Sequence, residues 1–367
     1  MSEATETVAA APATRELPIE FRATGGEYFR IWIVNLLLSI ITLGIYSAWA
    51  KVRRLRYFYG NTSLDGASFE YHGRPIAILK GRIIVVGSYL VYVTAARLWP
   101  SIWLQLLLLP VVIFGVPWVV VRARRFQMRM TSWRGLRFNF HGRYGGAMGA
   151  FVGWTVLAGL TLFILYPMAL WKQVTFLATN TAYGSERFKF HTTVGRFYEF
   201  CLIALGISFG AGLILALLLG IVGVAALFSG ALPAPGSPPA PPDPAAVLGL
   251  MAIVMPFYLA FFLLVNAYYR ASFLNASIGG VSVGPHRISS RLKFGPLLGI
   301  FFTNLLGIVF TLGLFYPWAK VRMLRYQLAN TSLIATGDLG QFVADQEAGP
   351  GAVGEEAADF FDIDFGL

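Results

Sequence analysis

Four histidines are the residues of this sequence that could bind a metal or transfer protons. They are His72, His141, His191 and His286, at offsets of 69, 119 and 214 from the first. Imidazole is the commonest metal ligand in proteins, and its charge changes near neutral pH. Descent from one duplicated unit explains the spacing without any ligand. We therefore favour no metal site and no cofactor, with the four histidines as the alternative.

Basic residues beside tryptophans are the second group that could bind a ligand. They follow an apolar segment directly, where a lysine or arginine near an anionic membrane gains about 1 kcal/mol. Arginine can also hold a phosphate through two parallel hydrogen bonds. We expect contact with anionic lipid or phosphate; simple anchoring of helix ends is the alternative. The residues are Trp49, Lys51, Arg53, Arg56, Arg122, Arg125, Trp318, Lys320, Arg322 and Arg325.

Two asparagines, Asn35 and Asn304, lie at matching positions in apolar segments. Buried amides can form hydrogen bonds between membrane helices, each worth about 1 kcal/mol. We interpret both as interhelical polar contacts, and the alternative is a substrate site.

Enzyme signatures are missing from the sequence. It has no HExxH, no GxSxG and no glycine-rich phosphate loop ending in Gly-Lys-Ser/Thr. The single cysteine, Cys201, lies in an apolar segment and cannot form an internal disulfide. No predicted span carries a central carboxylate or lysine, which argues against a proton-coupled pump. We predict that the protein is not an enzyme.

Composition indicates a membrane protein. Of 367 residues, 56% are hydrophobic and 13% charged, against about 25% charged in soluble domains. We predict an all-α membrane bundle of about seven transmembrane helices with short β-elements at the surface. The predicted spans are 28–48, 80–98, 101–121, 147–170, 200–228, 246–267 and 296–318.

Internal similarity divides the chain into five degenerate repeats. Residues 35–64 and 304–333 are identical at 18 of 30 positions. Short segments with aromatic residues at alternate positions, such as Phe69 and Tyr71, follow the basic residues and predict half-buried strands. The repeats cover roughly 26–75, 76–143, 144–192, 193–287 and 288–336.

Three segments fall outside this pattern. We predict a disordered N-terminal segment at 1–25, a proline-rich loop at 229–245 and an acidic tail at 337–367. The tail holds eight of the eighteen acidic residues in the chain. It could therefore dock on the basic residues of the transmembrane repeat domain, 26–336.

Seven alternating spans would place the loops after repeats one, two and five on one face of the membrane. The loops after repeats three and four would lie on the other. Because basic residues favour the cytoplasmic side, we expect the N-terminus outside and the C-terminus in the cytoplasm. In the alternative, repeats one, three and five enter the membrane and return as hairpins, so that all five loops face the cytoplasm.

The sequence resembles the YjgN family, bacterial inner-membrane proteins of unknown function. The resemblance rests on Gly26–Phe29, Thr42–Tyr46, Trp49–Arg53, Asn61–Ser63 and Trp318–Arg322, together with Arg56 and Tyr57. It covers about residues 20 to 335. It implies a multi-pass protein of the bacterial inner membrane and no catalytic activity.

These observations predict an integral inner-membrane protein, a scaffold or regulator that contacts anionic lipid or partner proteins through its basic residues. The alternative is a small-solute or lipid transporter with a site at the repeat interface. Expected partners are the bilayer, its anionic headgroups, and another membrane protein or a second copy. Nucleic acid is a poor fit, because the basic residues flank the spans.

Overall fold

The computed structural model describes residues 14–98, 102–228 and 244–347. Most of the predicted proline-rich loop and the part of the acidic tail after residue 347 lie outside these ranges.

Ten short strands form one closed antiparallel barrel. Its order is β1-β10-β9-β8-β7-β6-β5-β4-β3-β2, and β1 closes the ring by pairing with both β10 and β2. The strands are β1 (Thr14–Phe21), β2 (Thr62–Leu64), β3 (Ala67–Tyr71), β4 (Thr131–Trp133), β5 (Leu136–Phe140), β6 (Thr181–Tyr183), β7 (Glu186–Phe190), β8 (Val281–Val283), β9 (His286–Ser290) and β10 (Thr331–Thr336).

Tight turns join β2 to β3, β4 to β5, β6 to β7 and β8 to β9. Asp65 and Gly66, between β2 and β3, have φ angles of 48° and 75°, and Arg134 and Gly135 have 49° and 81°. Positive φ at both central residues is typical of the two-residue turns that match strand twist. The Arg134 guanidinium also lies 2.6 Å from the Asp65 carboxylate and so links the two turns.

Between successive strand pairs the chain forms five helical hairpins. Hairpin 1 is α1 (Gly25–Ile41) and α2 (Ser47–Gly60); hairpin 2 is α3 (Pro75–Leu98) and α4 (Ile102–Arg129). Hairpin 3 contains α5 (Tyr144–Ala147), a π-helical segment (Met148–Gly153), α6 (Trp154–Leu160) and α7 (Tyr166–Thr179). Hairpin 4 is α8 (Val194–Phe228) and α9 (Pro244–Ile278), and hairpin 5 is α10 (Phe294–Phe310) and α11 (Tyr316–Ala329).

Hairpins 1, 3 and 5 are short and turn back at an apolar tip. In hairpin 1, Leu43 has a φ of 48°, and the Gly44 N–H donates to the Ser39 carbonyl at 2.7 Å. This is the Schellman bond that ends a helix. The Tyr46 N–H then donates to Thr42 Oγ1 at 2.9 Å, which starts the return helix.

The same turn ends α6 and α10, so three predicted spans are wrong. Segments 28–48, 147–170 and 296–318 are each divided between the two arms of a helical hairpin. Helix α1 has 17 residues, or about 25 Å, which is short of the roughly 30 Å hydrocarbon core. The leucines at the tips of hairpins 1, 3 and 5, which are Leu43, Leu162 and Leu312, are 95%, 86% and 94% exposed.

Hairpins 2 and 4 are long. Three helices of the described residues are long and apolar enough to cross a membrane: Pro75–Leu98, Val194–Val222 and Val247–Ile278. The first belongs to hairpin 2 and the others to hairpin 4. Since α3 leaves the barrel at β3 and α4 returns to it at β4, α4 must cross back wherever α3 crosses.

The barrel overturns the predicted all-α bundle of about seven transmembrane helices. The alternating segments that we expected to be separate surface β-elements pair across hairpins, for example Phe69 with Trp133 and Phe138 with Tyr183. Strand β1 also lies within the predicted disordered segment 1–25. Local alternation indicates a strand, but the pairing depends on where the intervening helices bring the chain back.

All strand pairs therefore share one face, as in the hairpin alternative. Because β1 pairs with β10, with Leu17 opposite Leu333, the two ends of the described chain also share that face. The predicted placement of the N-terminus and C-terminus on opposite sides rested on seven alternating spans, which the structure does not have.

The barrel interior is closed by α12 (Leu339–Glu347), which follows β10 within the predicted acidic tail. Its Leu339 and Val343 pack against Leu64, Trp133 and Tyr183 in the barrel core. This part of the tail is a component of the folded barrel.

Candidate anion-binding site

A polar pocket of about 500 Å³ lies between hairpins 1, 2 and 5, on the helical side of the barrel. We call it the cationic pocket. Its lining comes from α1, α2, α3 and α11, and comprises Tyr28, Trp32, Asn35, Ser47, Ala50, Lys51, Arg54, Arg82 and Tyr316.

Three cations enter this pocket. Lys51 and Arg54 are three residues apart on α2, which places them on one face of the helix. Arg54 lines the pocket together with Tyr28 of α1. From the neighbouring hairpin, the Arg82 guanidinium donates to Ser47 Oγ. Two helical hairpins thus direct positive charge into one space.

Two more cations continue the cluster around the ring. Lys51, Arg270 and Lys320 each stand eleven positions before a strand, namely β2, β8 and β10, which begin at Thr62, Val281 and Thr331. Arg270 on α9 donates to the Gln327 amide oxygen on α11 at 3.0 Å. Hairpins 4, 5 and 1 therefore present equivalent cations side by side.

The cations repel one another. Burial lowers the pKa of Lys51, and the charges of Arg82 and Arg54 lower it further. Burial also lowers the pKa of Lys320, with Arg270 and Arg54 adding to the effect. The charge of Arg54 thus affects the pKa of both lysines. We therefore treat five residues as one cationic cluster: Lys51, Arg54, Arg82, Arg270 and Lys320.

No carboxylate neutralises this cluster within the described part of the chain. Ion pairs there involve other residues: Arg15 and Arg134 with Asp65, Arg22 with Glu20, His72 with Glu70, Arg196 with Glu199, and Arg291 with Glu16. Burying like charges without counter-ions is unfavourable, and a bound anion would remove that cost.

The two predicted asparagines differ in their contacts. Asn304 donates from α10 to the Ala319 carbonyl of α11 at 3.3 Å, a bond between helices. Asn35 lines the cationic pocket. Its Oδ1 is buried and has no hydrogen-bond partner among the described residues, and the same holds for Asn304 Oδ1. Asn35 therefore offers a free acceptor to a ligand beside the three cations.

The other predicted basic residues face outward or anchor local structure. Arg53, Arg56, Arg322 and Arg325 are exposed. Arg322 donates to Thr303 Oγ1 at 2.7 Å, and Arg325 donates to the Ala23 carbonyl at 2.8 Å. The structure thus brings only Lys51 and Lys320, of the predicted lysines and arginines, into the cationic cluster.

Hairpin 2 holds the remaining two arginines away from the pocket. The Arg122 guanidinium lies 5.8 Å from the Trp118 ring centroid, and Arg125 donates to the Gly142 carbonyl at 3.3 Å. The predicted tryptophans stack locally, Trp49 on Tyr46 and Trp318 on Phe315.

Sequence reasoning missed Arg54, Arg82 and Arg270. The helical spacing of Lys51 and Arg54 was a usable signal, because residues three apart share a face while Arg53 points elsewhere. The 214-residue offset between His72 and His286 also pairs Arg56 with Arg270, and this alignment hides the correspondence of Arg270 to Lys51.

The four histidines do not come together. His72, His141 and His191 each follow a strand, and their backbone N–H groups donate to the carbonyls of Met130, Asn180 and Gly280 at 2.8 Å. At the matching position after β9 stands Arg291, whose backbone N–H donates to the Asn330 carbonyl at 2.9 Å. His286 begins β9 instead, so its predicted equivalence to the other three is wrong.

Burial separates His286 from the others. It is 1% exposed, whereas His72, His141 and His191 are exposed. The residues that the structure describes contain no group of three or more side chains arranged to hold a metal ion.

Comparison with known proteins identifies the family. The inner membrane protein YjgN of Salmonella typhimurium (strain LT2) is 25% identical over 361 residues, covering 87% of this chain and 88% of that relative. YjgN of Escherichia coli (strain K12) is 37% identical over 129 residues, covering 33% of this chain and 30% of the relative. No solved structure matches the chain.

A family model described as bacterial protein of unknown function (DUF898) matches residues 16–360. The match extends over both the helical hairpins and the barrel. The predicted resemblance to the YjgN proteins is confirmed, and the chain belongs to DUF898, a family of bacterial proteins of unknown function.

Proposed function

We propose that this protein is a non-enzymatic protein of the bacterial inner membrane that binds a phosphate-bearing lipid headgroup in the cationic pocket. The observation that carries the proposal is the convergence of Lys51, Arg54 and Arg82 with no carboxylate beside them among the described residues. The membrane location is supported by the names of the relatives and by the three long apolar helices.

Charge distribution supports a cytoplasmic barrel and a cytoplasmic C-terminus. Of the 29 lysines and arginines in the chain, only Arg97 stands near the far end of a long hairpin. The others belong to the barrel, to the short hairpins or to the barrel-proximal parts of the long ones. Basic residues concentrate on the cytoplasmic side of bacterial membrane proteins.

The depth of the pocket suits a headgroup. Helix α2 begins at Ser47, just after the apolar tip, and Lys51 lies about 6 Å further along the helix axis. The barrel lies at the opposite end of the same helix. If the exposed tip at Leu43 is placed in hydrocarbon, the pocket comes to the layer where phosphates lie.

The chemistry of the lining favours a headgroup that carries both a phosphate and a hydroxyl. Phosphate oxygens accept hydrogen bonds from lysine and arginine. The free Oδ1 of Asn35 can accept one from a hydroxyl group. Trp32 and Tyr316, with ring centroids 6.1 Å apart, are the residue types enriched at membrane interfaces. The headgroup of phosphatidylglycerol carries both a phosphate and hydroxyl groups.

Native mass spectrometry of the full chain with added phosphatidylglycerol or phosphatidylcholine tests this proposal. Lys51→Gln should weaken phosphatidylglycerol binding roughly fivefold, since one cation near phosphate contributes about 1 kcal/mol. The matched control is Arg53→Gln, which removes the same charge from an exposed position on the same helix. Equal effects of the two substitutions would show that binding depends on net charge and not on the pocket.

Transport of an anionic solute or lipid is the second candidate. The observation in its favour is that the pocket is polar and lies where hairpins 1 and 5 meet, which is the expected place for a site at a repeat interface. Movement of labelled phosphatidylglycerol between the leaflets of proteoliposomes distinguishes the two. Binding without accelerated movement supports a scaffold or regulator, whose exposed Arg53, Arg56, Arg322 and Arg325 remain available to partners.

A further inference from the structure

A second cavity lies inside the barrel, away from the cationic pocket. It measures about 180 Å³. Trp133, Phe138 and Phe188 form part of its wall, and Leu339 and Phe342 of α12 form its cover. No Lys, Arg, Asp or Glu is among the described residues that line it. An apolar cavity of about 150 Å³ is large enough for a benzene-sized molecule.

One polar group in this wall has no partner. The Thr336 N–H donates to His286 Nδ1 at 3.2 Å, so the neutral imidazole carries its proton on Nε2. His286 is 1% exposed, and its Nε2 is buried without a hydrogen-bond partner in the described part of the chain. A buried donor without an acceptor is destabilising.

Two neighbouring polar side chains of the barrel core do have backbone partners. Trp133 Nε1 donates to the Ala67 carbonyl at 3.2 Å, and the Tyr183 hydroxyl donates to the Trp133 carbonyl at 3.0 Å. The Phe342 ring stands at 82° to the imidazole, with centroids 4.8 Å apart. An aromatic face is a much weaker acceptor than an oxygen atom, so His286 Nε2–H remains available.

We propose that the barrel binds a small uncharged molecule with an apolar body and one acceptor oxygen, such as an aromatic or short-chain carbonyl compound. Its oxygen accepts from His286 Nε2–H, and its body packs among Trp133, Phe138 and Phe188. The apolar lining excludes charged ligands, because it offers no counter-ion. Binding here is independent of the cationic pocket, which lies among the helices.

The test uses the full chain in lipid nanodiscs and two fluorinated probes. 4-Fluoroacetophenone carries the acceptor oxygen, and 4-fluoro-α-methylstyrene has the same shape with a methylene group in its place. Fluorine NMR measures binding, with empty nanodiscs as the control for partition into lipid. We expect the ketone to bind roughly fivefold more tightly than the alkene. Equal affinities would overturn the proposal.

Two substitutions locate the site. His286→Asn keeps an acceptor for the Thr336 N–H but removes Nε2, and should abolish the preference for the ketone. Arg287→Gln, on the outward face of β9, should preserve it. Val283, opposite Phe188 in the barrel wall, is next to the cavity, and Val283→Phe should eliminate binding of both probes. A ketone preference that survives either His286→Asn or Val283→Phe would contradict the assignment.

Discussion

Lys51 and Lys320 occupy the same position on neighbouring hairpins, and burial, together with the charge of Arg54, lowers the pKa of both. Each stands eleven positions before a barrel strand. The closed barrel holds the hairpins in a ring, so it also fixes how closely these like charges approach. The fold and the proposed binding site are therefore consequences of the same arrangement.

Repulsion in the cationic pocket gives the first prediction. Without anionic lipid, Lys51→Gln should raise the stability of the detergent-solubilised protein by on the order of 1 kcal/mol, because it removes a like charge. With saturating phosphatidylglycerol the wild type should become the more stable of the two proteins, because it binds the lipid more tightly and is stabilised more by it. Thermal unfolding of both proteins, with and without the lipid, measures this. An unchanged ranking would contradict an anion site at Lys51.

The hairpin tip gives the second prediction. Gly44 has a φ of 91°, a conformation that disfavours a Cβ atom, so Gly44→Ala should lower stability by about 1 kcal/mol. Gly87 lies within α3, and no neighbouring atom lies within 4 Å of the position that a Cβ would take there, so Gly87→Ala should not lower it. Melting temperatures of the two variants provide the comparison. Equal behaviour would be inconsistent with a turn at Gly44.

The sequence predicted strands such as β3, but it predicted neither β1, which lies in the segment expected to be disordered, nor the barrel. Alternating aromatics such as Phe69 and Tyr71 indicate local strand structure. However, Phe69 pairs with Trp133 across an entire helical hairpin, and local patterns carry no information about such distant pairs. The prediction of a single span where hairpin 1 lies failed for a different reason. Thr42–Gly44 stood out as a duplicated motif, but its apolar surroundings hid the helix end that Gly44 provides.

Some residues that line the cationic pocket or extend it could be proposed from the sequence, and others could not. Lys51, Lys320 and Asn35 could be proposed because they lie in the repeated sequence. In the structure Lys51 and Asn35 line the cationic pocket, and Lys320 belongs to the cationic cluster beside it. Arg82 could not, because its approach to Ser47 depends on contact between two hairpins. The alignment of His286 with His72 failed because it paired two histidines whose positions relative to their strands differ by five residues.

Burial of His286 gives the third prediction. Burial lowers its pKa below the unfolded value of about 6.5, so the unfolded chain binds this proton more readily. The stability that depends on neutral His286 is fully present above pH 6.5. It is lost as the pH falls, by at most about 1.4 kcal/mol per pH unit. Melting temperatures between pH 8 and 5 should decline less steeply for His286→Asn than for wild type. His191→Asn, at an exposed position, should retain the wild-type slope.

The C-terminal region gives the fourth prediction. A chain ending at Gly337 loses α12, whose Leu339 and Val343 are buried in the barrel, and should lose roughly 3–5 kcal/mol of stability. A chain ending at Glu347 keeps α12 and should unfold like the full chain. If the acidic residues beyond 347 dock on the basic ones, this second truncation should also bind anionic liposomes more tightly. Equal stability of the two truncations would contradict a structural role for α12.

Sided cysteine labelling tests the central claim that one barrel gathers all strand pairs on one face. In a Cys201→Ala background, single cysteines replace Ser68 on β3, Ser185 before β7, and Leu98 at the far end of α3. An impermeant reagent should label positions 68 and 185 together from the cytoplasmic side, and position 98 from the opposite side. Labelling of 68 and 185 from opposite sides would contradict the barrel and restore seven alternating spans.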